Sequence, residues 1–370
     1  MNTRVKARFT LLSLTVLLFA GMGCGNRPPV SAENQKGSSD KPTVLPSIRL
    51  YSDQSPLNQT VPADAEIDPD TRRYVDAIVQ RAGDLVIQVK HYSSPVYFSD
   101  SGTPRHDVSL ACGTVWELGV TTLKNVPIPD FAEPANDLDT ADDPIPIVGC
   151  GEESDQDNSM VIIDLDSRCE YDLWQARRED GRWVCSWGNA ISIDGGGVYE
   201  KGLSARGSGF AFLAGVIWPN ELRQGVIHHA LLFNLPNGLV RAGGPVPPAT
   251  ESDGESTDQD ALPEGARLRL DPTLDLNTLS LTPAERTIAV AMQTYGMFLT
   301  DRGGGPTIGL YAVAPRSVRE NPYAGLLPDE DFPDLAGIPL DKFQVLKLPR
   351  QDTDFQQKLA LPVNGCATFQ

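Results

Sequence analysis

The chain has 370 residues, 49 of them acidic and 31 basic, for a formal charge of −18. That balance excludes a protein whose affinity rests on Lys and Arg neutralising phosphates, so nucleic acid is not an expected partner. Gly (33) and Pro (30) are dense, which argues against a helical bundle and for many short strands joined by turns.

The N-terminus reads as an export signal. Arg4, Lys6 and Arg8 precede an uncharged, mostly apolar run from Phe9 to Ala20. The run is shorter than the ~20 residues of a membrane span and suits a secretory leader. Gly21-Met22-Gly23-Cys24 follows and resembles a bacterial lipoprotein cleavage site. Gly21 stands where such sites usually carry an aliphatic residue. Residues 1–23 are therefore expected to be removed and Cys24 lipidated, with an ordinary signal peptide or an uncleaved anchor as alternatives. Residues 24–46 are rich in Pro, Ser, Asn and Gly and read as a flexible tether, and 47–370 as one large domain. The acidic body would be repelled by anionic head groups, so the membrane is expected to be reached through the lipid.

Five cysteines remain beyond Cys24, namely Cys112, Cys150, Cys169, Cys185 and Cys366. An odd number leaves at least one thiol unpaired. No C-x-x-C pair is present, which disfavours structural zinc.

In chain order, Asp70–Ala82 places Val75, Ile78, Val79 and Ala82 on one helical face, with Gly83 as the stop. Strands are expected over 84–89 and 95–98. Residues 130–157 hold ten acids, including Asp137 and Asp157, with several prolines. This reads as a solvated loop. Its abundant hard oxygen donors make calcium the one cofactor considered, although the D-x-[DN]-x-[DN]-G spacing is absent. Ser159–Asp164 is a buried-strand pattern. Glu170–Arg178 and Arg182–Ala190 form a hairpin about Asp180-Gly181. This register sets Trp174 opposite Trp187, Ala176 opposite Cys185 and Arg178 opposite Trp183, with Asp172 and Asn189 at the far end. Cys169 and Cys185 then diverge, which disfavours a disulfide between them.

Phe210–Ile217 is an apolar strand or buried turn, and Pro219–Gln224 one helical turn stopped by Gly225. Val226–Phe233 reads as a strand, 241–263 as a long loop and Ala266–Leu270 as a short strand. The clearest helix is Pro283–Tyr295. Thr282 caps it, Glu285 completes a capping box, and Ile288, Ala291, Met292 and Tyr295 form its buried stripe. Strands are expected at 297–300, 307–313 and 343–348. The fold class is mainly β, a β-sandwich or jelly-roll with two or three short helices.

No nucleophile elbow, H-E-x-x-H, Walker loop or dinucleotide G-x-G-x-x-G is present. His228 and His229 stand on the expected strand and must face opposite ways. His229 is the candidate acid–base or substrate-binding group, against a hydrogen-bonded structural role. Nearby carboxylates are Glu221, Glu251 and Asp253, and a carboxylate pair would suit glycosidic cleavage. Arg267, Arg206 and Tyr295 are of the types a lyase step on a uronate would use. The candidate catalytic set is His229, Glu251, Asp253 and Arg267. Trp174, Trp183 and Trp187 form either a sugar-stacking platform or core.

The stretches Cys169–Trp174, Ile227–Leu231, Pro248–Gly254, Leu262–Leu268 and Tyr295-Gly296-Met297 with Asp301 resemble a family of predicted secreted bacterial proteins. The resemblance spans about half the chain, from Met160 to Leu348. It implies an extracytoplasmic β-rich domain, sometimes joined to surface modules, and carries no activity or catalytic residue. The expectation is an exported, lipid-anchored envelope protein that binds or cleaves extracellular carbohydrate, or else a non-enzymatic structural or adhesive one.

Overall fold

The computed structural model describes residues 40–116, 118–137, 150, 156–200, 203–355 and 365–370, which fall within one unit. The expected leader, Cys24 and most of the tether lie outside the described residues. The end of the expected tether already rests on the body. Arg319 pairs with Asp40 and donates its backbone N–H to the Pro42 carbonyl, and Leu45 is buried.

In chain order the elements are α1 (Thr71–Arg81), β1 (Leu85–Gln88), β2 (Val96–Ser99), β3 (Arg105–Leu110), β4 (Thr122–Pro127), β5 (Met160–Asp164), β6 (Cys169–Trp174), β7 (Arg177–Glu179), β8 (Arg182–Cys185) and β9 (Trp187–Ser192). There follow α2 (Pro219–Gln224), β10 (Leu231–Pro236), β11 (Arg267–Leu270), α3 (Pro283–Thr294), β12 (Met297–Gly303), β13 (Ile308–Tyr311) and β14 (Phe343–Val345). Three sheets result, ordered β1-β13-β10-β12-β11-β14, β2-β5-β6-β9 and β4-β3-β8-β7. The chain is mainly β with three helices. A wholly antiparallel jelly-roll is not followed, since β1–β13, β10–β12, β2–β5 and β3–β8 pair in parallel. Parallel pairs need long crossovers and cover on both faces.

That cover comes from three apolar cores. The first joins the helices to one face of the six-stranded sheet, with Val75 and Ile78 of α1 and Ile288 and Met292 of α3 meeting Leu231, Phe233, Leu299 and Leu310. The capping box of α3 forms as expected. Glu285 accepts from the Thr282 N–H at 2.7 Å, and Thr282 accepts from the Glu285 N–H at 3.2 Å. Gly296 stops the helix at φ 69°, where a Cβ would lie 2.5 Å from the Leu268 carbonyl oxygen. The second core lies between that sheet's other face and the β2-β5-β6-β9 sheet, and the third between the latter and the β4-β3-β8-β7 sheet. Strand β5 shows why its sequence is uninterrupted apolar. Val161 and Ile163 enter the second core, and Met160 and Ile162 the third.

The hairpin register is as expected, with Trp174 opposite Trp187, Asp172 opposite Asn189 and Arg178 opposite Trp183. Asp180 and Gly181 adopt the positive φ that the tight turn requires. The arms bend at Gln175, also at positive φ, so one hairpin serves two sheets. The expected strand over 226–233 needs correction, because pairing begins only at Leu231. Val226 N–H closes a turn onto the Glu221 carbonyl and Ala230 N–H goes to Leu57, so this backbone is used outside any ladder. Strands β3 and β4 lacked a clear alternating pattern in the sequence because much of β3 is exposed.

Two fully buried acids of β6 join the second sheet to the loop above it. Glu170 accepts the Tyr51 hydroxyl at 2.6 Å and the Leu213 N–H at 2.9 Å. Asp172 accepts the Tyr199 hydroxyl at 3.0 Å and the Phe212 N–H at 3.1 Å. Burial, and then the Asp172 charge, push the Glu170 carboxyl well above the glutamate range. Burial raises Asp172 to about 6. Both shifts favour a protonated carboxyl in the folded state relative to the unfolded one.

Disulfides join Cys112 to Cys150 and Cys169 to Cys366, and Cys185 is a buried free thiol whose pKa burial raises. The second bridge anchors residues 365–370, which cover the edge of β4 through Thr121, Thr122 and Lys124. Non-reduced peptide mapping is expected to recover both linked pairs, with Cys185 alkylated only after denaturation. Alkylation of native Cys185 would contradict this packing. Replacing Cys169 and Cys366 by Ser should cost about 2–5 kcal/mol in denaturant unfolding.

The acid pair sets a direction for pH dependence. An unfolded Glu170 releases its proton near 4.5, whereas the folded one holds it to higher pH. The folded state then binds more protons, and unfolding free energy falls as pH rises above about 4.5. Denaturant unfolding in EDTA should show greater stability at pH 5 than at pH 8, with a shallower slope in Glu170→Gln. Stability that increases between those pH values would contradict the assignment.

Candidate active site

Strand β12 contributes an irregularity that builds the site. Phe233 pairs with Leu299 and Asn234 with Asp301, so Thr300 is an extra residue in a bulge. Thr300 bonds the Ser208 hydroxyl at 2.7 Å, and Asp301 joins a group of acids from the 245–265 loop. Asp253, Glu264 and Asp301 each bring one carboxylate oxygen within 4.8 Å of the others. Glu264 Oε2 accepts the Asp253 N–H at 3.0 Å, Asp253 Oδ2 accepts Arg302 Nε at 3.2 Å, and Arg302 Nη1 reaches Glu255 at 2.7 Å. Gly207 packs on Asp253, where a Cβ would lie 2.8 Å from the carboxylate carbon. The loop needs a residue without a side chain there.

Glu251 enters the same region and accepts the Ser204 N–H at 3.0 Å. Opposite, at the end of the second sheet, Asp157 accepts the Trp174 indole N–H at 3.1 Å. The Arg206 guanidinium lies over the Tyr311 ring, 4.3 Å from its centroid. It is within electrostatic reach of Asp157, Asp172 and Asp301. Asp157 is solvent-exposed, and Trp174, Glu251, Asp253, Asp301 and Arg302 are half-buried. Arg206 (5% exposed) and Glu264 (0%) are not reached from outside. The arrangement is a part-exposed acidic cluster, with Asp157 and Glu251 within electrostatic reach of Asp253, the Arg206 guanidinium near Asp157 and Asp301, and the Trp174 indole on Asp157.

Crowded carboxyls with little solvent resist ionisation. Burial pushes Glu264 and Asp301 well above the carboxylate range, with the Asp253 charge next in effect for both. Burial raises Asp253 against the opposing Arg302 charge. Burial takes Glu251 to about 8 and, with the Asp137 charge, Asp157 to about 6. Asp157 reaches water by its surface area, which offsets part of that effect. Asp253 Oδ1, Glu264 Oε1 and Arg206 Nη1 have no hydrogen-bond partner among the described residues.

Of the residues singled out in the sequence, Glu251 and Asp253 come together in this cluster. His229 is held elsewhere. It is half-buried, with Nδ1 2.9 Å from the Ala230 carbonyl and Nε2 3.0 Å from Glu221 Oε1, a close ion contact without hydrogen-bond alignment. Burial lowers its pKa, but the Glu221 charge and contacts outweigh that and leave it raised. Because the expected strand is absent there, the opposite-face relation of His228 and His229 does not arise, and His228 is exposed. Arg267 donates to the Tyr295 and Gln59 carbonyls and covers the Phe298 ring, with its pKa lowered to about 10 by burial. It clamps the end of α3 to β11. Trp183 and Trp187 are core residues, so only Trp174 of the three tryptophans meets the acidic cluster, through Asp157.

Within the acidic segment, Asp137 is consumed by the N–H groups of Tyr92, Asp157 and Asn158. Asp139, Asp142, Asp143, Glu152, Glu153 and Asp155 lie outside the described residues. Sequence reasoning did not select Glu264, Asp301 or Asp157 as site residues. A signal existed for two of them, since Glu264 interrupts an apolar turn and Asp301 ends an apolar strand. No family model, curated protein or solved structure matches this chain.

Proposed function

We propose that the chain is an exported envelope protein, lipid-anchored at Cys24, whose acidic cluster takes an extracellular glycan and cleaves it. The observation that carries this reading is the presence of Asp157 and Glu251 on the same part-exposed acidic cluster about Asp253, with the Trp174 indole on Asp157 and Arg206 within electrostatic reach. An aromatic face beside carboxylates suits a sugar ring and its hydroxyls. In the step envisaged, one of Asp157 and Glu251 gives a proton to the glycosidic oxygen. The other takes a proton from water as its oxygen joins the anomeric carbon and the protonated sugar leaves. His229 and Arg267 then serve packing, and Asp253 shapes the field with Glu264 and Asp301. Export is supported by the leader and by two disulfides, which persist in oxidising compartments. We read the six-stranded sheet and the β2-β5-β6-β9 sheet around the second core as sandwich-like.

A second reading, a glycan-binding protein without hydrolysis, is favoured by the engagement of both His229 and Arg267 in local contacts. A glycan panel scored for binding and for product release separates the two. Hydrolysis predicts product that falls by ~10²-fold or more in Asp157→Asn and Glu251→Gln, with His229→Ala retaining it and Trp174→Ala weakening binding. Binding without product supports the second reading, and neither activity on any glycan rejects both. Cys24→Ser should move the protein from the membrane fraction to the soluble exported fraction. An unchanged membrane fraction would reject the anchor.

A further inference from the structure

We propose that Asp253, Glu264 and Asp301 form a binding site for a hard divalent cation, calcium foremost. The three carboxylates come from a loop, the approach to β11 and the bulge of β12, and their oxygens gather within 4.8 Å of one another. Oxygens 2.3–2.6 Å from a common ion span that separation. One oxygen of each side chain in the loop is held, Asp253 Oδ2 by Arg302 and Glu264 Oε2 by the Asp253 N–H. Asp253 Oδ1 and Glu264 Oε1 are left without a donor. Glu264 is fully buried, so bulk water does not satisfy its free oxygen. A buried carboxylate oxygen with no donor calls for a cation or a proton.

The charge count favours the cation. When ionised, Asp253, Glu264 and Asp301, with Glu255 also on Arg302, outnumber the Arg302 and Arg206 charges, and a divalent ion offsets that excess. Arg206 does not fill the space, because it is held over Tyr311. The all-oxygen donor set, without His or Cys, selects calcium, magnesium or manganese over zinc or copper. Donors from three separate segments suit calcium's adaptable shell better than the strict octahedron of magnesium. None of the three donors belongs to the acid-rich 130–157 segment in sequence, and the proposal stands whether or not a glycan is the ligand.

The test uses the full chain stripped with EDTA and titrated with CaCl2 or MgCl2, followed by calorimetry and thermal unfolding. One calcium per chain is expected, with Kd of about 10⁻⁴–10⁻³ M as in extracellular modules, a raised Tm, and magnesium at least tenfold weaker. Asp301→Asn and Glu264→Gln should weaken calcium at least tenfold, whereas Asp64→Asn, on an exposed turn, should leave it unchanged. Neither heat nor a Tm shift with wild type at roughly 10 mM calcium, well above that range, overturns the proposal. So does calcium affinity unaltered in both site variants. Should those variants fail to fold, calcium-soaked crystals of the wild type decide. A peak among the three carboxylates supports the site, and its absence there rejects it.

Discussion

Glu170 and Asp172 are fully buried on a central strand, and the contact between the β2-β5-β6-β9 sheet and the loop above it depends on how they are satisfied. Two tyrosine hydroxyls and two backbone N–H groups are committed to them. Leaving such groups unpaired in a low-dielectric interior would cost several kcal/mol. A proton on Glu170 removes one charge, and of the four oxygens Asp172 Oδ1 alone has no donor among the described residues. The Phe210–Ile217 segment is thereby fixed above β6, and Phe210 meets Phe298 of the six-stranded sheet.

That anchorage places Arg206. Its guanidinium lies over Tyr311 and against Phe212, between the Asp172 carboxyl and the acids of the cluster. One cation thus speaks to two groups of acids, which lowers the electrostatic cost of each without neutralising either. The rest of the cluster follows from backbone devices. The bulge at Thr300 delivers Asp301, and Gly207 lets the Asp253 carboxylate lie against the chain. A residue with a β-carbon at Gly207 would push Asp253 away from Arg302. The account therefore links one protonated pair, one guanidinium and one bulge to the geometry of the site.

Local chemistry was legible in the sequence where a few adjacent residues settle it. Thr282, Pro283 and Glu285 specify a helix start, and Asp180-Gly181 specifies a turn that fixes the register of two strands. The uninterrupted apolar run of β5 marked a strand buried on both faces. The strand expected through His228 and His229 failed because an apolar run does not show where its backbone bonds go, and those of Val226 and Ala230 go to Glu221 and Leu57. Glu251 and Asp253 were found because they are neighbours in the chain. Glu264 and Asp301 were not, because their meeting depends on strand order and on one extra residue in β12. Parallel pairing was equally hidden, since it depends on which distant segments cover the sheet.

The central claim is that the folded protein keeps a proton on the β6 acid pair at neutral pH. Infrared spectroscopy of the carboxyl C=O stretch at pH 7 tests it directly. A protonated-carboxyl band that resists exchange into deuterated buffer and disappears in a folded Glu170→Gln variant is the expected result. A spectrum at pH 7 with only ionised carboxylates would contradict the account.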